Sequence, residues 1–189
     1  MTNLENLEFV SRYPTEGVMR DGTSILFKPL ESEDREQLES LIEALPSEDL
    51  LYLRQDITNE SVIDTWITSV ESGHVFTVLA SVGARVVGYA SLHIDSAIWS
   101  RHVGEIRINV HPDYRGTGLG AALAGEIRFV APSFGIRKLI ANMTLEQHTA
   151  MVVFERLGFQ LQTILRGWVT DMNGEERDLL VMALTLPKS

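Results

Sequence analysis

There is no cysteine among the 189 residues, which excludes disulfides, thiolate metal sites and cysteine nucleophiles. Proline is scarce, at 6 residues, and no linker, low-complexity tract or internal repeat divides the chain. A long uncharged apolar run is also missing, and the opening MTNLENLEFV has acids where a secretory signal has bases. A cytoplasmic protein is expected. Basic residues are outnumbered 16 to 26, for a formal net charge of −10. Such a surface repels phosphate backbones, so it argues against nucleic acid or an anionic membrane as partner. It mildly favours a cationic substrate such as an amine.

What the chain does have is 44% hydrophobic residues, enough for a full core. Residues 1–15 read as an irregular N-terminal segment and 16–189 as a single domain. EGVM and SILFKPL flank Asp21-Gly22, a hairpin signal. Glu31-Ser32-Glu33-Asp34 opens a helix with Leu38, Leu41, Ile42 and Leu45 on one face and Pro46 just beyond. A second helix is expected over 60–70, capped by Thr58 or Asn59. Strands follow over 75–80, 85–93 and 105–110; in the last, Ile106, Ile108 and Val110 alternate with Glu105, Arg107 and Asn109. After HPDYRGTG, Leu119, Leu123, Ile127 and Val130 recur at helical spacing. A strand over 138–143, a short helix over 149–157 and a final hairpin complete the order. The expected fold is α/β, with a mixed central sheet of about six to seven strands, antiparallel in its first half, and helices on both faces.

The segment RGTGLG carries the chemistry. Gly116, Gly118 and Gly120 remove side chains where backbone curls tightly and approaches a ligand. The helix that follows, from Leu119, begins with N–H groups that have no intrahelical partner. Together with the macrodipole and the forked donors of Arg115, they make an anion site suited to a pyrophosphate; Thr117 belongs to the same turn. A Walker loop is excluded, because the chain has no Gly-Lys pair. GTGLGA fits a dinucleotide fingerprint formally, but HPDYR separates it from the strand and no mononucleotide fold precedes it.

Over about residues 24–184 the chain resembles the GCN5-related N-acetyltransferases. The resemblance rests on Ile108-Asn109-Val110-His111-Pro112-Asp113-Tyr114-Arg115-Gly116-Thr117-Gly118-Leu119-Gly120, which matches the family's strand, its V-x-P-x-Y and its R-x-x-G-x-G/A turn. Phe154-Glu155-Arg156-Leu157-Gly158-Phe159 resembles the family's helix end, and SILFKPLESED its opening. GWVTDMNGEERDLLVM is similar to members that acylate protein lysines or free amino acids.

The resemblance implies transfer of an acetyl group from acetyl-CoA, as cosubstrate and without a metal, to a primary amine on a small molecule, an amino acid or a protein lysine. It implies that a β-bulge splays the strand ending at Val110 from its neighbour, and that pantetheine pairs there with the backbone of Ile108, Asn109 and Val110. It points to a Glu on this strand as general base, here Glu105; that position also suits a partner for Arg107 or Arg101. His111 is the alternative, although the strand end beside Pro112 also suits capping or exposure, and His93 is a third candidate. Phe154 stands where the family has a Tyr general acid, and Gln147 where it has an Asn that meets the pantetheine. Tyr114, Thr149 or Tyr89 is then a substitute hydroxyl, the thiolate leaves without help, or the protein is a catalytically weak acyl-CoA-binding sensor. Trp66, Trp99 and Trp168 suit an acceptor pocket, core or rim. A homodimer through the final hairpin is compatible with the family.

Overall fold

The computed structural model describes residues 11–50, 55–95 and 97–187. Two strands, β1 (Thr15–Val18) and β2 (Ser24–Pro29), form a hairpin whose turn holds Gly22 at φ +88°. Glu31 and Asp34 make a reciprocal capping box ahead of α1 (Arg35–Glu43). A short helix, α2 (Ser47–Leu50), follows, and then α3 (Glu60–Glu71), whose cap is Asn59, accepting from the Ser61 amide. The centre of the sheet is β3 (Val75–Val82), β4 (Arg85–Ile94) and β5 (Val103–Val110). From there the chain runs through α4 (Leu119–Val130), β6 (Lys138–Thr144), α5 (His148–Arg156), β7 (Gln160–Thr170) and β8 (Glu176–Thr185).

One sheet contains all eight strands, in the order β1-β2-β3-β4-β5-β6-β8-β7. This exceeds the six to seven expected, because both strands of the N-terminal hairpin join the sheet at its edge. The pairing is antiparallel from β1 to β5, parallel between β5 and β6, and antiparallel again through β8 to β7. The parallel pair is the step crossed by α4, because parallel neighbours need a helix-length connection.

Strand alternation sorts the core into two layers. Phe76, Val78, Ala90, Leu92 and Ile106 pack with Leu119, Leu123, Ile127 and Val130 of α4 and with Phe154 of α5. Leu79 and Tyr89 pack with Leu38, Leu41 and Ile42 of α1 and Ile63 of α3. Helices therefore cover both faces. On α4 a charged residue is also buried: Glu126 accepts from Arg12 at 2.6 and 3.0 Å and from the Tyr13 hydroxyl at 2.7 Å. Burial and that carboxylate push the Tyr13 phenol up. Among the described residues, no helix is long and apolar enough to cross a membrane.

Candidate active site

Parallel pairing between β5 and β6 covers only Val103 with Lys138, Gly104 with Leu139 and Glu105 with Ile140. Beyond Glu105, among the described residues, the two strands separate and leave a slot in the sheet. A bulge in β5 is not the cause: its register with β4 runs without a shift from Gly104 to Val110. The register shift next to it lies instead between Ala80 and Ser81 of β3. Ile108, Asn109 and Val110 of β5, and Asn142, Met143 and Thr144 at the end of β6, border the slot.

At the mouth of the slot stands the glycine turn. Gly116 and Gly118 have φ +76° and +94°, a region that other residues enter only with strain. Gly118 is the N-cap of α4 and no side chain caps it, so the first N–H groups of the helix remain available. Thr117 Oγ1 donates to the Tyr114 carbonyl at 2.6 Å, tightening the turn from within. Leu119 is 1% exposed and anchors the helix to the core, while Gly120 lies over Val110 and borders the cleft. Arg115 donates through Nε to the Val110 carbonyl at 3.2 Å, and its Nη2 is paired with Asp49 of α2.

The slot opens into a cleft of about 1920 Å³. One end is bordered by Ile108, Asn109, Val110, Arg115, Gly116, Gly120, Gln147 and Phe154, so eight of the expected cofactor residues converge there. Gln147 precedes α5 and accepts from the Thr144 amide at 2.9 Å through Oε1. Phe154 is buried edge-on against Phe159, with ring centroids 4.9 Å apart, so an apolar ring faces the place where the family has a hydroxyl. Thr144 also borders this end, and its buried Oγ1 has no partner among the described residues. An orphaned hydroxyl and an uncapped helix N-terminus bordering one cleft fit a ligand of alternating amides and phosphates.

The other end is a polar ladder that register alone creates. Tyr89 faces Asn109, Ser91 faces Arg107 and His93 faces Glu105 across β4 and β5. Asn109 Nδ2 donates to the Tyr89 hydroxyl at 2.6 Å, and burial pushes the Tyr89 phenol up to about 12. Trp66 packs edge-on to Tyr89 and donates to Thr77 Oγ1 at 3.0 Å. Glu105 accepts from Arg107 Nε at 3.0 Å, borders the cleft and is only 14% exposed. Ser91 Oγ lies 3.0 Å from His93 Nε2. Glu105 is also the last residue paired with β6, so it sits at the inner apex of the slot.

His111 is placed differently. It is 5% exposed, outside the residues that border the cleft, and its Nδ1 accepts from the Asp113 amide at 3.2 Å. Its Nε2 lies 2.7 Å from Arg85 Nη2. Burial and then the Arg85 guanidinium, with Arg115 adding to them, hold the imidazole below its usual value; the Asp113 carboxylate offsets this only in part. The unfolded chain then takes up this proton near pH 6.5 while the folded one resists it. Stability from this residue is therefore complete above about pH 6.5 and falls as pH drops through the lower folded value. His111→Asn, which keeps a capping acceptor for the Asp113 amide, should flatten the fall in melting temperature from about pH 7.5 to about pH 5.5. An unchanged slope would contradict the buried, neutral assignment.

Of the three tryptophans, Trp66 and Trp168 border the cleft, whereas Trp99 is 87% exposed on the β4–β5 loop. Tyr89, Tyr114 and Thr149 all border it. Arg107, read from the sequence as a partner for Glu105, does pair with it. Asp49, Ser91 and Thr144 were not anticipated from the sequence. Only strand pairing and loop docking bring them in, and nothing in the local pattern reports either.

A splayed α/β sheet, with an uncapped glycine turn at the mouth of the gap and a carboxylate at its apex, defines the class of site. The chain matches the model of the acetyltransferase (GNAT) family over residues 35–159 and belongs to that family. It is 32% identical over 94 residues to an uncharacterised N-acetyltransferase of Methanocaldococcus jannaschii, covering 48% of this chain and 42% of that protein. It is 33% identical over 79 residues to a ribosomal-protein-alanine N-acetyltransferase of Escherichia coli, covering 42% of this chain and 53% of that one. The chain thus spans about half the length of these curated relatives. The fold is similar to the GNAT domain of an S. lividans PAT, with a TM-score of 0.75, 20% identity and coverage of 91% and 96%. It is similar, with a TM-score of 0.75, 20% identity and coverage of 87% and 95%, to a Salmonella typhimurium acetyltransferase solved with acetyl-CoA.

Proposed function

We propose that the protein is an N-acetyltransferase that moves an acetyl group from acetyl-CoA directly to a primary amine. The observation that carries this reading is the slot from the glycine turn to Glu105. From Val110 to Glu105 the strand spans roughly 17 Å at its ordinary rise, comparable to an extended pantetheine arm. Arg115 and the N–H groups at 116–120 hold the pyrophosphate, for which Arg115 must exchange its Asp49 partner. Ile108, Asn109 and Val110 pair with the pantetheine amides through their backbones, Gln147 offers its amide nitrogen, and Phe154 packs against the arm.

When bound, acetyl-CoA supplies an already activated acyl group as a thioester. Glu105 takes a proton from the acceptor ammonium, and the freed amine forms the C–N bond as the C–S bond breaks. The coenzyme A thiolate leaves and takes up, through water, the second proton that the new amide nitrogen sheds. Aligning the two groups inside a cleft supplies a large part of the acceleration. The acceptor enters from the ladder side. Six acids border the cleft, Asp49 at the glycine-turn end and Asp95, Glu105, Glu146, Asp171 and Glu176 elsewhere along it, against Arg107 and Arg115. That balance favours an acceptor carrying positive charge, such as a small amine, an amino acid or a protein amine. The E. coli relative, named for acetylating an alanine of a ribosomal protein, lies within this range.

One observation favours a second reading, a weak acyl-CoA sensor: no hydroxyl stands at position 154. Thiol release from acetyl-CoA across a panel of amines separates the two. Turnover with at least one amine supports the enzyme, and tight binding without turnover supports the sensor. Phe154→Tyr should then raise a slow kcat about tenfold or more if only the proton donor is missing. No change would assign the thiolate's departure to water or to another hydroxyl.

A further inference from the structure

Arg20 lies at the tip of the β1–β2 hairpin, far in sequence from RGTGLG, yet it rests on that turn. Its amide donates to the Thr117 carbonyl at 3.1 Å, and the neighbouring Met19 Sδ lies 3.3 Å from Thr117 Oγ1. A β-carbon built on Gly118 would stand 3.3 Å from Arg20 Nε. The hairpin tip is thus fixed against the phosphate turn by backbone and side chain together. Arg115, on the cleft side, is engaged by Asp49 and the Val110 carbonyl. Among the described residues no carboxylate pairs with the Arg20 guanidinium, in a chain with 26 acidic residues to 16 basic ones.

Resting on the coenzyme A reading, we propose that Arg20 is a second phosphate-binding residue, and that it takes the ribose 3′-phosphate of coenzyme A. The turn's N–H groups and Arg115 face the mouth of the slot, where the pantetheine begins and the pyrophosphate must lie. Arg20 is exposed and stands outside the residues that border the cleft. The cofactor's outermost anion is the one within its reach. A guanidinium suits it, because its forked donors match the oxygens of a terminal phosphate.

The test is calorimetric titration of coenzyme A and of 3′-dephospho-coenzyme A into the wild type, Arg20→Ala and Arg20→Lys. The wild type should prefer coenzyme A by about five- to tenfold at low salt, less at high salt. Arg20→Ala should lose that preference while binding the dephospho form as the wild type does, and Arg20→Lys should keep part of it. Equal weakening of both ligands in Arg20→Ala overturns the assignment, since it means contact with the pyrophosphate or damage to the turn. A wild type that binds both ligands equally overturns it too, and leaves the coenzyme A reading intact. A wild type that binds neither ligand removes both.

Discussion

Gly118→Val should abolish coenzyme A binding, weakening it by at least about a hundredfold, equivalent to about 2.7 kcal/mol. Gly118 sits at φ +94°, where a β-branched residue is strained by about 1–3 kcal/mol. Its new β-carbon would also stand 3.3 Å from Arg20 Nε, so relaxing that strain disturbs the hairpin tip. Any rotation that relieves it turns the first amides of α4 away from a common point. Each amide bonded to a charged phosphate contributes about 1.5–3 kcal/mol, so misdirecting two is enough for the expected loss. Melting temperature should fall only by several degrees, about 2–4 °C per kcal/mol for a chain of this size. Gly125→Ala is the control: Gly125 lies on the same helix with nothing within 4 Å of its β-carbon position. It should stabilise the helix by up to about 1 kcal/mol and leave binding unchanged. Retained affinity in Gly118→Val would mean that the turn does not hold the phosphates.

The second large effect is expected at Glu105. Glu105→Gln keeps an oxygen for the Arg107 Nε–H and nearly the same volume, but removes the carboxylate proposed as the base. We expect kcat/KM with the best amine to fall by about 10²–10³, within the range for loss of a general base. Affinity for coenzyme A should stay within about twofold, because Glu105 is at the slot's apex and not on the glycine turn. His93 is opposite Glu105 in the register, so His93→Gln serves as a companion; a smaller loss there assigns it to positioning. A Glu105→Gln enzyme with nearly full kcat/KM would remove Glu105 from the mechanism.

The elements most legible from sequence were those set by local signals. The helix after the glycine turn begins and ends where Leu119, Leu123, Ile127 and Val130 place it, because its apolar spacing and the glycines before it agree. The Glu31–Asp34 capping box and the Asp21-Gly22 turn are likewise short-range devices. What escaped is long-range. The strand count was low because nothing in TEGV tells whether so short a strand joins the sheet or frays at its edge. The splay between β5 and β6 was anticipated through a bulge, whereas the register of β4 and β5 is unbroken and the gap arises where parallel pairing simply stops.

The site divides along the same line. RGTGLG could be assigned an anion from its own residues, since glycine freedom and helix N–H groups are local properties. Glu105 could be placed on a polar strand face but not at the apex of a slot. Arg20, Asp49 and Thr144 had no signal, because each meets the site only through tertiary docking. His111 was open between base, cap and exposed side chain; burial with the Asp113 amide on Nδ1 places it as a buried cap.

The most direct measurement is isothermal titration of coenzyme A into the wild-type protein, with NAD titrated in parallel. We predict one saturable site for coenzyme A with a Kd below about 1 mM, and no binding of NAD. No binding of coenzyme A at millimolar concentration, or binding of NAD in its place, would contradict the assignment of the glycine turn.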